Sequence, residues 1–344
     1  MFSKIVLDHF TAFKHLEMEF TPGINVLIGV NGTGKTHILK ALYAAAEISE
    51  SKENFAAKIN KVFLPSNEHI NRLVKREVGR KRGSVDIFRK LLEEEIHLRL
   101  AINSWEDSYL KAKITGHTKK WLENPISSVF IPVKEMLANA PGFKSLYETR
   151  NIHFEEVYAD IITKALLPPL RGPADAGRRK INNILEKAIA GKITVKNEEF
   201  YLKNKQGNLE FTLLAEGLRK LGLLWILIQN GILTKGSVLF WDEPEANLNP
   251  KLIKVLVEIF YALAREGQQI IIATHNYNLV KWIDLFCKEN ERDILLFHSL
   301  YKEQDEIKLI SANNYLSLEK NPIADAFNDI FEGEAKRMLG SLQK

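Results

Sequence analysis

Apolar and polar residues along this chain first follow the spacing of short strands, with a helical period only later. Residues 5–7 and 16–20 are the first two predicted strands, joined by the mixed segment 8–15. Thr21-Pro22-Gly23 signals a turn, and the run 24–28, rich in β-branched residues, reads as a buried strand. Residues 29–34 break it with glycine. The period then changes to that of a helix, with Ile38, Leu42, Ala45 and Ala46 on one face of 35–48. Residues 51–80 read as amphipathic helix. From 84 to 115 the period is two: Ile96, Leu98, Leu100 and Ile102 alternate with His97, Arg99, Ala101 and Asn103, as expected of a half-solvated antiparallel sheet.

Residues 128–132 (SVFIP) read as a buried strand returning to the core. The stretch 135–190 is predicted mostly helical, broken by Pro168-Pro169 and the loop 171–177, and 192–211 as short strands with a turn at Gln206-Gly207-Asn208. An apolar helix over 215–230, stopped by Gly231, precedes a strand at 238–241. The helix over 250–266 has Asn249 as its N-cap, Pro250 at its first position and Gly267 after its end. A strand (269–274), a helix (278–286), two more strands and a closing helix near 323–331 complete the chain. No repeats, low-complexity tracts or sustained heptads are seen.

The 344 residues permit one large domain or two smaller ones, and 45% hydrophobic with 26% charged is ordinary globular composition. The single cysteine, Cys287, excludes an intramolecular disulfide and a cysteine zinc site, in keeping with a reducing compartment. The opening MFSKIVLDHF lacks the apolar run of a signal peptide, and the most apolar later stretch, 221–233, is broken by Gln229-Asn230-Gly231. It falls short of the about 18 to 20 apolar residues a membrane span takes. The expectation is a cytoplasmic protein with no membrane association. The net charge of +5 is uneven, because residues 71–90 alone carry eight basic and two acidic side chains.

Candidate chemistry starts at GVNGTGKT, residues 29–36, which fits G-x-x-x-x-G-K-[ST] between a predicted strand and a predicted helix. Glycine lets such a backbone curl so that its N–H groups converge on phosphate oxygens at the positive end of a helix dipole. Gly29, Asn31, Gly32, Thr33, Gly34, Lys35, Thr36 and His37 are the predicted nucleotide contacts. Lys35 would reach the β- and γ-phosphates, and the Thr36 hydroxyl would ligate Mg²⁺. The apolar strand Val238-Leu239-Phe240-Trp241 ends in Asp242-Glu243, and buried carboxylates require a positive partner, which Mg²⁺–ATP supplies. Asp242 is the second predicted metal ligand and Glu243 the group that polarises the attacking water. His275, at the end of the 269–274 strand, is the third catalytic candidate with Glu243 and Lys35. Arg72, Lys75, Arg76, Arg80, Lys81 and Arg82 could follow a double-stranded DNA backbone or form a merely solvated basic face. Arg171, Arg178, Arg179 and Lys180 share that ambiguity, and sparse aromatic residues argue against base stacking.

In this order of motifs the chain resembles ATPases of the ABC/SMC-like class: phosphate loop at 29–36, signature segment Leu214-Ala215-Glu216-Gly217-Leu218-Arg219-Lys220, Asp242-Glu243, a D-loop at 245–250, and Thr274-His275. DEPEANLNP looks most like the ATPase domains of the overcoming-lysogenization-defect (OLD) family. The resemblance implies an α/β P-loop NTPase of the ABC ATPase type, a single domain over 1–344. Its mainly parallel core sheet would come from 1–50, 127–134 and 211–300, with an inserted antiparallel β-subdomain and helical lobe at 51–210 and an extension at 301–344. It also implies a homodimer or higher homo-oligomer in which two ATPs are sandwiched. Ala215, Glu216, Gly217 and Asn247 of one subunit would then complete the other's site.

Three departures stand out. The signature opens with Ala215 where the family has Ser, which removes a hydroxyl donor and leaves backbone N–H groups, helped by Arg219 or Lys220. No Q-loop glutamine follows the 128–132 strand, where Lys134 and Glu135 stand. The residues after the His275 helix are too few for the TOPRIM nuclease domain of full OLD proteins, so a nuclease or other effector would be a separate polypeptide. The expected function is ATP hydrolysis tied to DNA repair or defence against foreign DNA. The alternative is an ATP-gated switch that restrains such an effector.

Overall fold

The computed structural model describes residues 1–150 and 152–342, without the side chains of 340–342. Strands β1 (Phe2–Phe10) and β2 (Phe13–Glu19) form a tight hairpin, and β3 (Ile24–Gly29) is buried at every position. Helices α1 (Lys35–Ser51) and α2 (Phe55–Phe63) follow. The expected helix over 51–80 is confined to α2. Leu64 turns left-handed, Pro65 has no N–H to continue the ladder, and residues 70–73 make only a 3₁₀ turn.

Of strands β4 (Arg82–Leu91), β5 (Glu94–Asn103) and β6 (Lys113–Gly116), β5 shows the expected alternation while β4 is buried throughout 83–87, and the three form no separate sheet. The order is β2-β1-β4-β5-β6, so the N-terminal hairpin supplies two of the five strands. After α3 (Thr118–Glu123), β7 (Ser128–Ile131) returns to the core. Helices α4 (Phe143–Arg150), α5 (Glu156–Ala165) and α6 (Ala176–Ile189) lead to a small antiparallel sheet of β8 (Lys192–Lys196), β9 (Glu199–Asn204) and β10 (Gly207–Glu210). Its second turn is Lys205-Gln206, one step earlier than expected.

The remaining elements are α7 (Glu216–Gln229), β11 (Val238–Asp242), α8 (Pro250–Arg265), β12 (Gln269–Thr274), α9 (Tyr277–Phe286), β13 (Leu295–Glu303), β14 (Glu306–Ala312) and α10 (Pro322–Leu342). Asn249 caps α8 as expected, accepting a hydrogen bond from the Lys251 N–H at 3.0 Å.

The core sheet has the order β14-β13-β3-β12-β11-β7, and all but β14 run parallel. Both of its faces are buried, which is why its strands read as continuous apolar runs. Val26, Ile28, Leu239, Trp241, Ile270 and Ile272 pack with α5 to α9. Leu27, Phe240, Ile271 and Ala273 pack against α1, which is covered from the far side by the five-stranded sheet. The helix that follows the phosphate loop is thus held between two sheets. No described helix is long and apolar enough to cross a membrane.

Candidate nucleotide site

Parallel pairing aligns Asp242 with Ala273 and Thr274 with Ile28, so β11, β12 and β3 end level with one another. Whatever follows each strand is brought to one edge: Glu243, His275 and the 29–36 loop. Ligands in open α/β sheets bind at this edge.

Gly34 adopts φ +83°, and a Cβ there would lie 2.5 Å from the Phe13 ring, so any side chain would push against the β1–β2 hairpin. Gly32 faces open space and is exposed with Asn31, whereas Thr33 is buried and its hydroxyl donates to the Val30 carbonyl at 2.8 Å. Lys35 Nζ donates to the Gly29 and Val30 carbonyls at 2.7 and 3.1 Å, which curls the side chain over the loop. Burial lowers its pKa, with Asp242, Glu243 and Glu245 acting against that shift. His37 turns away: its ring packs 5.6 Å from that of Phe63, its buried Nδ1 has no hydrogen-bond partner, and burial pushes its pKa down to about 4.

Thr36 Oγ1 donates to Asp242 Oδ2 at 2.8 Å. Asp242 is buried, and desolvation raises its pKa, the sign of a carboxylate short of positive charge. These two hard oxygen ligands suit Mg²⁺, and no described cluster of three acidic, His or Cys side chains could hold a metal without further ligands. Phosphate oxygens would supply them, so the residues present fit Mg²⁺ bound together with ATP. Glu243 sits at φ +47°, its N–H bonded to the Ala273 carbonyl at 2.9 Å, and its Oε1 lies 3.3 Å from His275 Nδ1. The three expected catalytic side chains therefore share one edge of the sheet.

The signature segment packs against the D-loop of its own chain. A Cβ on Gly217 would fall 2.7 Å from the Asn247 carbonyl oxygen, so only glycine permits this approach. Asn247 Nδ2 donates to Glu216 Oε2 at 2.8 Å, and Ala215 occupies the N-cap of α7 with no side-chain hydrogen bond. Arg219 and Lys220 each make contacts within their own chain. Lys220 is buried and donates to the Ala246 carbonyl at 2.9 Å, while Arg219 Nε pairs with the wholly buried Glu135 carboxylate at 3.2 Å. Lys220 is thus held inside the chain, whereas Arg219, paired with Glu135, stays partly exposed. The Glu135 pair also ties the segment after β7, where a Q-loop would stand, to α7.

The basic stretch is less uniform than its sequence. Lys75 Nζ donates to the Ala12 carbonyl at 2.8 Å and Lys81 pairs with Glu77 at 3.2 Å, which leaves Arg72, Arg76, Arg80 and Arg82 exposed. Arg80 and Arg82 flank the partly exposed Trp105, at 5.5 and 5.9 Å from its ring, an aromatic neighbour that the sequence pattern did not flag. Arg89 is no surface charge at all: it stacks on buried Trp121 at 4.2 Å and donates to the carbonyls of Trp121 and Asn124. Arg178 and Arg179 donate to the carbonyls of Pro173 and Ala174 just ahead of α6.

Residues 24–281 match the sequence model of the family described as "AAA domain, putative AbiEii toxin, Type IV TA system". Among curated relatives, the DNA replication and repair protein RecF of Lacticaseibacillus casei is 23% identical over 184 residues, 47% of this chain and 48% of that protein. RecF of Bifidobacterium adolescentis is 48% identical over 40 residues, 12% and 10% of the two chains. The matches span from about a tenth to about half of the length of these relatives. Among solved structures, an SMC head bound to the C-terminal winged-helix domain of ScpA superposes with a TM-score of 0.60 at 16% identity, covering 93% of this chain and 99% of that one. The SMC head with an extended coiled coil from Pyrococcus furiosus gives 0.58 at 14% identity over the whole of both chains. The fold is that of an SMC head or ABC-type ATPase domain, and the chain belongs to the AAA-domain family.

Proposed function

We propose that this member of the AAA-domain family binds Mg²⁺–ATP on residues 29–36 and hydrolyses it to ADP and phosphate. The observation that carries the reading is the meeting of Lys35, Thr36, Asp242, Glu243 and His275 at the ends of three neighbouring strands. When bound, Mg²⁺–ATP supplies the electrophilic terminal phosphorus and the cation that offsets its charge. Lys35 neutralises phosphate oxygens, and Thr36 with Asp242 holds the metal. Glu243 takes a proton from the attacking water, with His275 fixing the direction of its carboxylate. The Glu216–Gly217 turn of a second subunit, with Asn247 beside it, completes the site in a head-to-tail dimer.

Work of that cycle is directed to DNA, through Arg72, Arg76, Arg80 and Arg82. The RecF relatives, named for DNA replication and repair, support this, as does the exposure of those arginines. The narrower likeness to OLD-type ATPases, and with it defence against foreign DNA, rests on DEPE and the L-x-P turn. A second reading has its own support in the family's description, "AAA domain, putative AbiEii toxin, Type IV TA system", and in the uncapped Ala215. There the ATPase is a slow switch that restrains a separate effector.

Replacing Glu243 by Gln tests the shared part. ATP affinity is expected to stay near wild type while phosphate release falls to background. Normal turnover by Glu243→Gln would remove Glu243 from its role. Co-purification of a nuclease or toxin, released on adding ATP, would favour the switch over direct DNA work.

A further inference from the structure

Glu245 lies two residues beyond the proposed base, and nothing in that mechanism uses it. It is 7% exposed. Its Oε1 accepts a hydrogen bond from Thr274 Oγ1 at 2.6 Å, and its buried Oε2 has no hydrogen-bond partner. Desolvation raises its pKa; His275 pulls the other way, and the carboxylate is also felt by the buried Lys35 and Lys220. An unpaired carboxylate oxygen in such a place is costly, because removing a charged group from water without full hydrogen bonding disfavours the fold. The surroundings show what it accomplishes there. Thr274 Oγ1, while donating to Glu245, accepts the Asn276 N–H at 3.0 Å, so one hydroxyl fixes both sides of His275. Next to Glu245, the Ala246 carbonyl accepts from Lys220, and the Asn247 side chain donates to Glu216. The segment that begins at Glu245 thus joins the turn carrying His275 to the start of α7.

We infer that Glu245 is a positioning residue for ATP hydrolysis: through the Thr274 hydroxyl it holds the His275 turn so that Nδ1 stays within reach of Glu243. The inference rests on the proposed roles of Glu243 and His275. A neutral packing residue would fill the same space, but it would offer Thr274 no acceptor and would free the turn to swing His275 away. Misplacing a catalytic group by about 1 Å can cost ~10²-fold in rate.

Four variants separate positioning from simple structural support: Glu245→Ala, Glu245→Gln, Thr274→Val and Thr274→Ser. Ala at 245 and Val at 274 each break the bond, and each is expected to lower kcat about tenfold or more with nucleotide affinity near wild type. Gln at 245 keeps an acceptor and Ser at 274 keeps the donor, so both should recover most of the rate. In a His275→Ala background the loss from Glu245→Ala should vanish, since the group it positions is gone. Fluorescent-nucleotide binding and thermal melting identify any variant that fails to fold, and Thr274→Val tests the bond with the carboxylate left in place. Losses that multiply in the His275→Ala background, or a Gln variant as slow as the Ala variant, would overturn the inference. Turnover by Glu243→Gln would overturn the underlying reading instead, so the two failures are told apart.

Discussion

His298 is a histidine that burial keeps neutral. It is fully buried on β13, its Nδ1 is paired with the Ser311 hydroxyl at 2.8 Å, its Nε2 lacks a partner, and its pKa is pushed down to about 3. The sign of the pH effect follows from linkage. Between about pH 6.5 and about 3 the unfolded chain binds a proton that the folded His298 refuses, so stability falls as pH drops through that window. The slope from one such group is at most about 1.4 kcal/mol per pH unit. His37 adds a second contribution down to about pH 4. Asp242 and Glu245 act oppositely, because their raised pKa values make protonation favour the fold once pH falls below them. From pH 7 to pH 5 the neutral His298 should therefore contribute a decline to the urea midpoint of the wild type, set against the raised carboxylates, Glu50, Asp86, Glu135 and Glu156 among them. In His298→Asn, which can still pair with Ser311, the decline should be shallower by up to one proton's worth. An unchanged slope would mean that His298 titrates freely in the folded chain.

At the scale of elements, local pattern made most of the fold legible and left out what depends on distant partners. The strand–loop–helix at 24–48 and the strand ending in Asp242-Glu243 could be read directly, because both sheet faces are apolar and each motif is contiguous. The end of α2 was missed because the apolar spacing of 51–80 continues past Pro65 while the backbone does not. Arg89 could have been placed inside, since it shares the phase of Val85 and Ile87 on β4, all three of them buried. The bond of Glu245 could not be read in that way, because it reaches from the turn after β11 to Thr274 at the end of β12. These placements divide the basic stretch in a testable way. Replacing Arg80 and Arg82 by Ala should weaken duplex DNA binding and reduce the slope of log affinity against log salt by about two, given ~0.9 per phosphate contact. DNA-independent ATP turnover should be unchanged. Arg89→Ala should instead lower the melting temperature, since it leaves one buried and one partly buried carbonyl without the donor they share. Equal DNA affinity of the Arg80/Arg82 variant and the wild type at low salt would show this face to be only solvated charge.

At the scale of the whole molecule, a two-subunit site requires that α7 present its N-terminus outward while its side chains remain anchored within the chain. Lys220, Arg219 and Glu216 provide that anchoring, to Ala246, Glu135 and Asn247. They orient the helix as a rigid part of the same body that carries Glu243, so closure on a partner's nucleotide would be sensed directly at the carboxylate proposed as the base. Ala215 is the weak point of this design. It stands at the N-cap of α7 and offers no acceptor to the first-turn N–H groups, and it has no hydroxyl for a phosphate. The Ala215→Ser change should supply the cap and stabilise the helix by about 1 kcal/mol, visible as a higher melting temperature. It should also lower the protein concentration at which ATP produces a dimer. Light scattering in the Glu243→Gln background, where bound ATP persists, is the measurement. Dimerisation of that variant with ATP, strengthened by adding Ala215→Ser, is the expected result. A monomer at every concentration, whichever residue stands at 215, would mean that one chain completes its own site and that α7 serves only to brace the D-loop.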